Sequence, residues 1–143
     1  MLSIVYVSSA ARLLEESELL NMLKTCQRNN ARTNVTGLLL YRGGNFMQAI
    51  EGPEPFVRGL YKKIQRDPRH TGVYKLLERN IEEREFSNWT MAFQNVDKLP
   101  PEALSGFNSF LADAFTSKAF TENPSRAHKL LLMFKENMRL TGP

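Results

Sequence analysis

Apolar and polar positions alternate along this chain in two clear rhythms. Leu2–Ser8 (LSIVYVS) is apolar on both of its alternating faces, the pattern of a strand inside a sheet. Glu15–Asn30 changes to helical spacing, with Leu19, Leu23 and Cys26 in one stripe. Val35–Tyr41 is a second apolar strand, Arg42-Gly43-Gly44-Asn45 is turn chemistry, and Phe46–Glu51 returns as a hairpin partner. Gly52-Pro53 opens a second helix over Glu54–Arg66, with Phe56, Val57, Leu60 and Ile64 as its expected buried side. Asp67-Pro68 stops it, because proline disfavours helix in the residue before it. Val73–Arg79 and Trp89–Val96 are two further strands.

The order βαββαββ predicts an α+β fold, a ferredoxin-like five-stranded sheet with two helices on one face. Pro100-Pro101 marks a boundary, so the domain is expected over residues 1–97 and a two-helix extension over 98–143. Leu104, Phe107, Leu111 and Phe115 space the first of those helices. Asn123-Pro124 starts the second, as an N-cap with proline at the first helical position. Leu130-Leu131-Leu132-Met133-Phe134 wraps more than one face of that helix, which needs cover on two sides, from the open sheet face or from a second chain.

Composition narrows the class. A length of 143 residues, 42% hydrophobic and 24% charged, suits one globular domain rather than disorder. The net charge of +4 is spread along the chain rather than gathered into a tail or stripe, so it argues only weakly for a nucleic-acid partner. The single cysteine, Cys26, excludes an intramolecular disulfide and a cysteine-built metal site. Leu2–Val7 is too short and soon too acidic for a secretory leader, and no stretch is long enough to span a membrane. A cytoplasmic protein is expected.

Three polar features sit where apolar ones belong. Gln48 shares its strand face with Phe46 and Ile50, and a buried amide without partners costs about 1–3 kcal/mol. A neighbouring side chain, water or a ligand must satisfy it. Asn29 and Asn30 close the first helix, either as its C-cap or as amides turned to a pocket. Tyr6 lies mid-strand, able to face the same layer as Gln48. Such a group would suit a planar, polar-edged heterocycle. Lys62, Lys63, Arg66, Asp67, Arg69 and His70 gather near the end of the second helix, either as a solvated face or as a hold for phosphate or ribose. Glu82, Glu83 and Glu85 around Arg84 read as solvated loop charge. Glycine-rich phosphate loops, a serine-hydrolase elbow and histidine metal spacing are all missing.

Segments IVYVSSA (Ile4–Ala10), QRNNAR (Gln27–Arg32), VTGLLLY (Val35–Tyr41), NFMQAIEGP (Asn45–Pro53), IQRDPRH (Ile64–His70) and FSNWTMAFQN (Phe86–Asn95) resemble the BLUF domain, a family of flavin-binding blue-light receptors. The chain is similar to its short stand-alone members. The resemblance implies bound FAD, no enzymatic turnover, and Tyr6 as photochemical electron donor beside Gln48. It implies flavin contacts from Asn29, Asn30, Gln48, Lys63, Ile64, Asp67 and His70, and a signal relay through Trp89 and Met91. Lys63 stands where arginine is often found. Output is expected through self-assembly into a homo-oligomer or through a separate regulatory protein, with no nucleic acid or membrane involved. Two other readings are a flavin- or nucleotide-binding assembly module without photochemistry, and an acylphosphatase-like enzyme. Against the latter, Ser8-Ser9-Ala10-Ala11-Arg12 stands where the glycine-containing phosphate loop would be.

Overall fold

The computed structural model describes residues 1–86, 90–98 and 122–141, with the backbone alone at residue 97 and over 137–141. Strand β1 (Leu2–Ala10) is buried on both faces over most of its length and sits inside a five-stranded sheet of order β4-β1-β3-β2-β5. It pairs antiparallel with β3 (Asn45–Gly52) on one side and β4 (His70–Asn80) on the other. Strand β2 (Thr36–Arg42) pairs antiparallel with β3 and parallel with the short β5 (Ala92–Asn95). The expected α+β architecture is the observed one.

Local chemistry explains the elements. Helix α1 (Glu16–Thr33) begins where the Glu15 N–H donates to Glu18 Oε1 at 3.2 Å. It ends at Asn34, whose φ of 61° is left-handed backbone that asparagine tolerates. The helix therefore runs past Asn29 and Asn30, and neither is its C-cap. Gly43 and Gly44 both hold positive φ, 54° and 86°, as a two-residue turn between twisted strands requires. Helix α2 (Glu54–Arg66) ends at Asp67, in extended backbone ahead of Pro68.

Helix α2 departs from expectation at one position. Phe56 is half exposed and Tyr61 is buried in its place. Val57, Leu60, Tyr61 and Ile64 follow the i, i+3, i+4, i+7 stripe, and Phe56 lies one residue off it.

The two sheet faces carry separate cores. Leu2, Ile4, Tyr6, Leu39, Phe46 and Ile50 face α1 and α2. Val5, Val7, Leu38, Leu40, Met47 and Ala49 face the C-terminal helix α3 (Pro124–Thr141). Ala127, Leu130, Leu131 and Phe134 of α3 are fully buried there, with Leu132 and Met133 partly buried. The open sheet face thus covers the apolar run. The helix expected around Leu104 to Phe115 lies outside the described residues, as does Trp89.

In the loop after β4, Glu82 and Glu83 are exposed as expected, but Arg84 and Glu85 are not solvated charge. The Arg84 guanidinium donates to Thr36 Oγ1 at 2.9 Å, the Asn34 carbonyl at 2.7 Å and the Glu51 carbonyl at 3.2 Å. Glu51, 1% exposed, accepts from the Phe86 N–H at 2.6 Å, the Glu85 N–H at 3.1 Å and Thr36 Oγ1 at 3.3 Å. Burial pushes the Glu51 carboxyl up, and these donors oppose the shift. Glu85 in turn lies 2.5 Å from His128 Nε2 of α3. A buried acid that collects backbone donors from a distant loop leaves no periodic trace in sequence.

Phe134→Ala should lower unfolding stability by about 3–5 kcal/mol, read as a shifted urea midpoint. Its side chain packs on the sheet face away from α1 and α2, so ligand uptake between those helices should persist below the new midpoint.

Candidate functional site

Between α1 and α2 the sheet floor is left partly uncovered, and a crevice opens there. Its cavity volume is about 170 Å³, smaller than the roughly 300–1,000 Å³ of typical small-molecule sites, and it is open to solvent on one side. Tyr6, Leu39 and Gln48 form the floor; Met22, Cys26, Leu60 and Ile64 add the apolar walls. Thr25, Asn29 and Asn30 line one helix edge, and Lys63, Asp67, Arg69 and His70 the other. Every flavin contact expected from sequence lines this one crevice: Asn29, Asn30, Gln48, Lys63, Ile64, Asp67 and His70. Lys62 and Arg66, also in the basic cluster, are exposed and do not.

The floor is set by strand register. Tyr6 on β1 stands directly opposite Gln48 on β3, and Gln48 stands opposite Leu39 on β2. Cross-strand partners on one face are close enough for their side chains to meet. The β1–β4 register shifts on either side of Tyr6 and Val7, a local irregularity that re-aims side chains. Tyr6 Oη donates to Gln48 Oε1, and Gln48 Nε2 donates to Met91 Sδ at 3.2 Å. A thioether only accepts, so Met91 takes the amide's donor end and leaves its carbonyl end to the phenol. Tyr6 and Met91 are each 1% exposed. Burial pushes the Tyr6 phenol well above its ordinary range, so it stays protonated.

Asn30 Nδ2 donates to the Thr90 carbonyl at 2.9 Å, and Gln27 Nε2 to the Met91 carbonyl at 3.0 Å. Sequence reading missed Gln27. Its signal was position: three residues before Asn30, it shares that helix face. Strand β5 starts at Ala92, later than the periodicity predicts, and α1 side chains bond the two carbonyls just before it. Among the described residues no donor reaches Asn30 Oδ1, although Asn30 is buried. The Asn29 carboxamide and the Lys63 ammonium likewise have no described partner.

At the mouth, Arg69 grips Asp67 through Nη2 to Oδ2 at 2.6 Å, and its guanidinium holds the Asp67 carboxyl low. His70 Nδ1 lies 2.9 Å from Ser8 Oγ, and its ring packs on Phe46 at 5.1 Å. Burial pulls the His70 imidazole down. The Cys26 thiol is pushed up, again by burial. Apolar walls, an unpaired buried amide oxygen and cationic groups at one end fit a flat ring with hydrogen-bonding edges and an anionic tail.

A ferredoxin-like sheet with such a crevice defines a small domain built to hold a planar cofactor. The family model described as sensors of blue-light using FAD matches residues 1–92. The chain belongs to the BLUF family of flavin-binding light sensors. It is 38% identical over 119 residues to the photoactivated adenylate cyclase subunit beta of Euglena longa, a match covering 80% of this chain and 14% of that subunit. The chain therefore spans only a small part of that curated relative. Among solved structures, a bacterial light-regulated adenylyl cyclase superposes with a TM-score of 0.77 at 33% identity, covering 93% of this chain and 40% of the other. BlrB, a BLUF protein in its dark state, gives 0.73 at 27% identity over 93% and 96% of the two chains. No described helix is long and apolar enough to cross a membrane.

The depressed His70 value sets a pH dependence. The unfolded chain takes up a proton near pH 6.5 and the folded one only at lower pH, so stability falls as pH drops through about 6.5. Above that pH the contribution is fully present. His70→Gln should flatten this acid slope, measured as the difference in urea midpoint between wild type and variant from pH 7.5 to 5.5.

Proposed function

We propose that this chain is a blue-light receptor that takes FAD into the α1–α2 crevice and converts light into a rearranged Gln48 hydrogen bond. The observation that carries this reading is the buried hydrogen-bonded row Tyr6–Gln48–Met91, a phenol and a carboxamide on the crevice floor with a thioether on the amide's nitrogen. Asn29, Asn30, Gln48 and Ile64 would hold the ring, and Lys63, Asp67 and His70 the ribityl and phosphate part. FAD, when bound in its oxidised form, supplies blue-light absorption and a strong oxidant in its excited state.

The chain's own residues then do the rest. Tyr6 is held protonated by burial, so its phenol carries both an electron and a proton to give. An oxidised phenol is strongly acidic, and Gln48 Oε1 already stands on its O–H as acceptor. Electron and proton return to Tyr6, and no substrate is turned over. What persists is Gln48, turned or tautomerised, with its donor and acceptor ends exchanged. Met91 Sδ then loses its donor, and the segment leading into β5 is released from that contact. A donor turned toward the ring's carbonyl edge stabilises the excited state more than the ground state and shifts absorption to the red.

Output runs from residues 89–96 to the C-terminal helices, through Met91 and Trp89. The region 1–97 acts as the sensor and 98–143 as its helical extension. Light would alter self-assembly into a homo-oligomer or the grip on a separate regulatory protein, in a cytoplasmic setting without nucleic acid or membrane. A bistable element biased by the pocket is what such a switch requires.

Tyr6→Phe and Gln48→Leu should each bind flavin and stay yellow while losing the red-shifted photoproduct in a light-minus-dark spectrum. A normal difference spectrum from either variant overturns the assigned roles, and a colourless protein after reconstitution with FAD overturns the whole reading. Size-exclusion profiles under blue light should differ from those in darkness, either for the protein alone or with its co-purified partner; identical profiles and pull-downs refute the output route.

A further inference from the structure

Two amides of α1 grip consecutive backbone carbonyls at the entrance to β5. Asn30 Nδ2 holds Thr90 O and Gln27 Nε2 holds Met91 O. The pair sits one helical turn apart, so a single face of α1 spans a dipeptide of the neighbouring segment. Met91 is thereby fixed at its backbone. Its side chain is fixed again, with Sδ against Gln48 Nε2 and Cε in the space that Gly37 leaves free. A Cβ added at Gly37 would stand 3.2 Å from that methyl and 2.0 Å from the Ala49 carbonyl oxygen.

These holds differ in strength. Sulfur is a weak acceptor, whereas an amide-to-carbonyl bond is of ordinary strength. The contact between Gln48 and the sulfur therefore cannot place Met91 by itself. The carbonyl has to be placed first, and Gln27 is the side chain that places it. Thr90 and Asn30 fix the preceding peptide, but the Met91 peptide carries the side chain that meets Gln48.

We infer that Gln27 is a positioning residue for the light switch: by holding the Met91 carbonyl it keeps the thioether waiting where the Gln48 amide must return. This inference rests on the photoreceptor reading above. Gln27 is half-buried on the helix flank and does not line the crevice, so it acts on the switch only through Met91. When the Gln48 donor end turns away, the Gln27 hold persists and limits how far Met91 drifts. The dark arrangement is then recovered without a search for the acceptor.

Gln27→Met keeps the reach and helix propensity of the side chain and removes the donor. Gln27→Glu keeps its shape and puts an acceptor against the carbonyl. In the flavin-loaded protein kept dark, amide hydrogen exchange over residues 91–95 should quicken by about fivefold in both variants, the factor that one neutral hydrogen bond corresponds to. After a blue pulse, thermal return of the red-shifted state should slow by about the same factor, with the size of the shift unchanged. Unchanged exchange in both variants overturns the anchor. Faster exchange with an unaltered return rate shows a merely structural bond and overturns the positioning role. The same exchange measurement on Gln27→Met in a Tyr6→Phe background needs no photochemistry. If wild type gives no photoproduct, the photoreceptor reading falls, and this arm still decides whether Gln27 anchors Met91.

Discussion

The structure turns on a single buried carboxamide with unlike partners at its two ends. Gln48 sits in the third strand of a five-stranded sheet, 5% exposed, where an unpaired amide would cost about 1–3 kcal/mol. Its oxygen takes the Tyr6 hydroxyl and its nitrogen meets the Met91 sulfur. The two partners constrain it unequally. The thioether never donates, whereas the phenol, kept from ionising by its own burial, can either donate or accept. Only the weak contact with the sulfur therefore favours one orientation of the amide, while the crevice above it stays open to a ligand.

The layers give that carboxamide mechanical reach. Strand residues alternate in direction, so Gln48 faces the crevice while Met47 and Ala49 beside it face α3. Three residues beyond Gln48 along β3, Glu51 gathers the N–H groups of Glu85 and Phe86, and Glu85 meets His128 on α3. One strand thus touches the crevice, the loop that leads toward β5 and the C-terminal helix. Ligand site and possible output are separated by a sheet thickness rather than by a long chain of contacts.

Much of this was legible in sequence because it is periodic. Apolar runs placed the first three strands, the Gly-Gly turn placed the hairpin, and the amides on an apolar face pointed to the crevice. Tyr6 and Gln48 could be named as a pair only once the strand order was assumed, since their contact joins residues 42 apart. The remainder depends on contacts that no period encodes. Glu51 looks like an ordinary strand-end acid until a loop more than thirty residues later folds onto it. Phe56 and Tyr61 exchange places because a helix stripe one residue out of phase is turned by about 100°. Asn30 lost its capping alternative when Asn34, four residues further on, took the left-handed conformation.

The weakness of one bond is what permits the proposed switch. A two-state element works only when its arrangements differ by a few kcal/mol. Suppose the Gln48 amide donated to a backbone carbonyl instead of a sulfur. That full-strength bond would add to the phenol's and lock one orientation. A carboxylate in place of the amide would be worse, with no donor for the sulfur and a buried charge where a neutral group stood. Glutamine against methionine satisfies the buried polar atoms well enough for folding and loosely enough for the amide to turn. The firm bonds, from Gln27 and Asn30 to the backbone at 90 and 91, lie one step outward, where they hold the frame in which the soft contact is broken and remade.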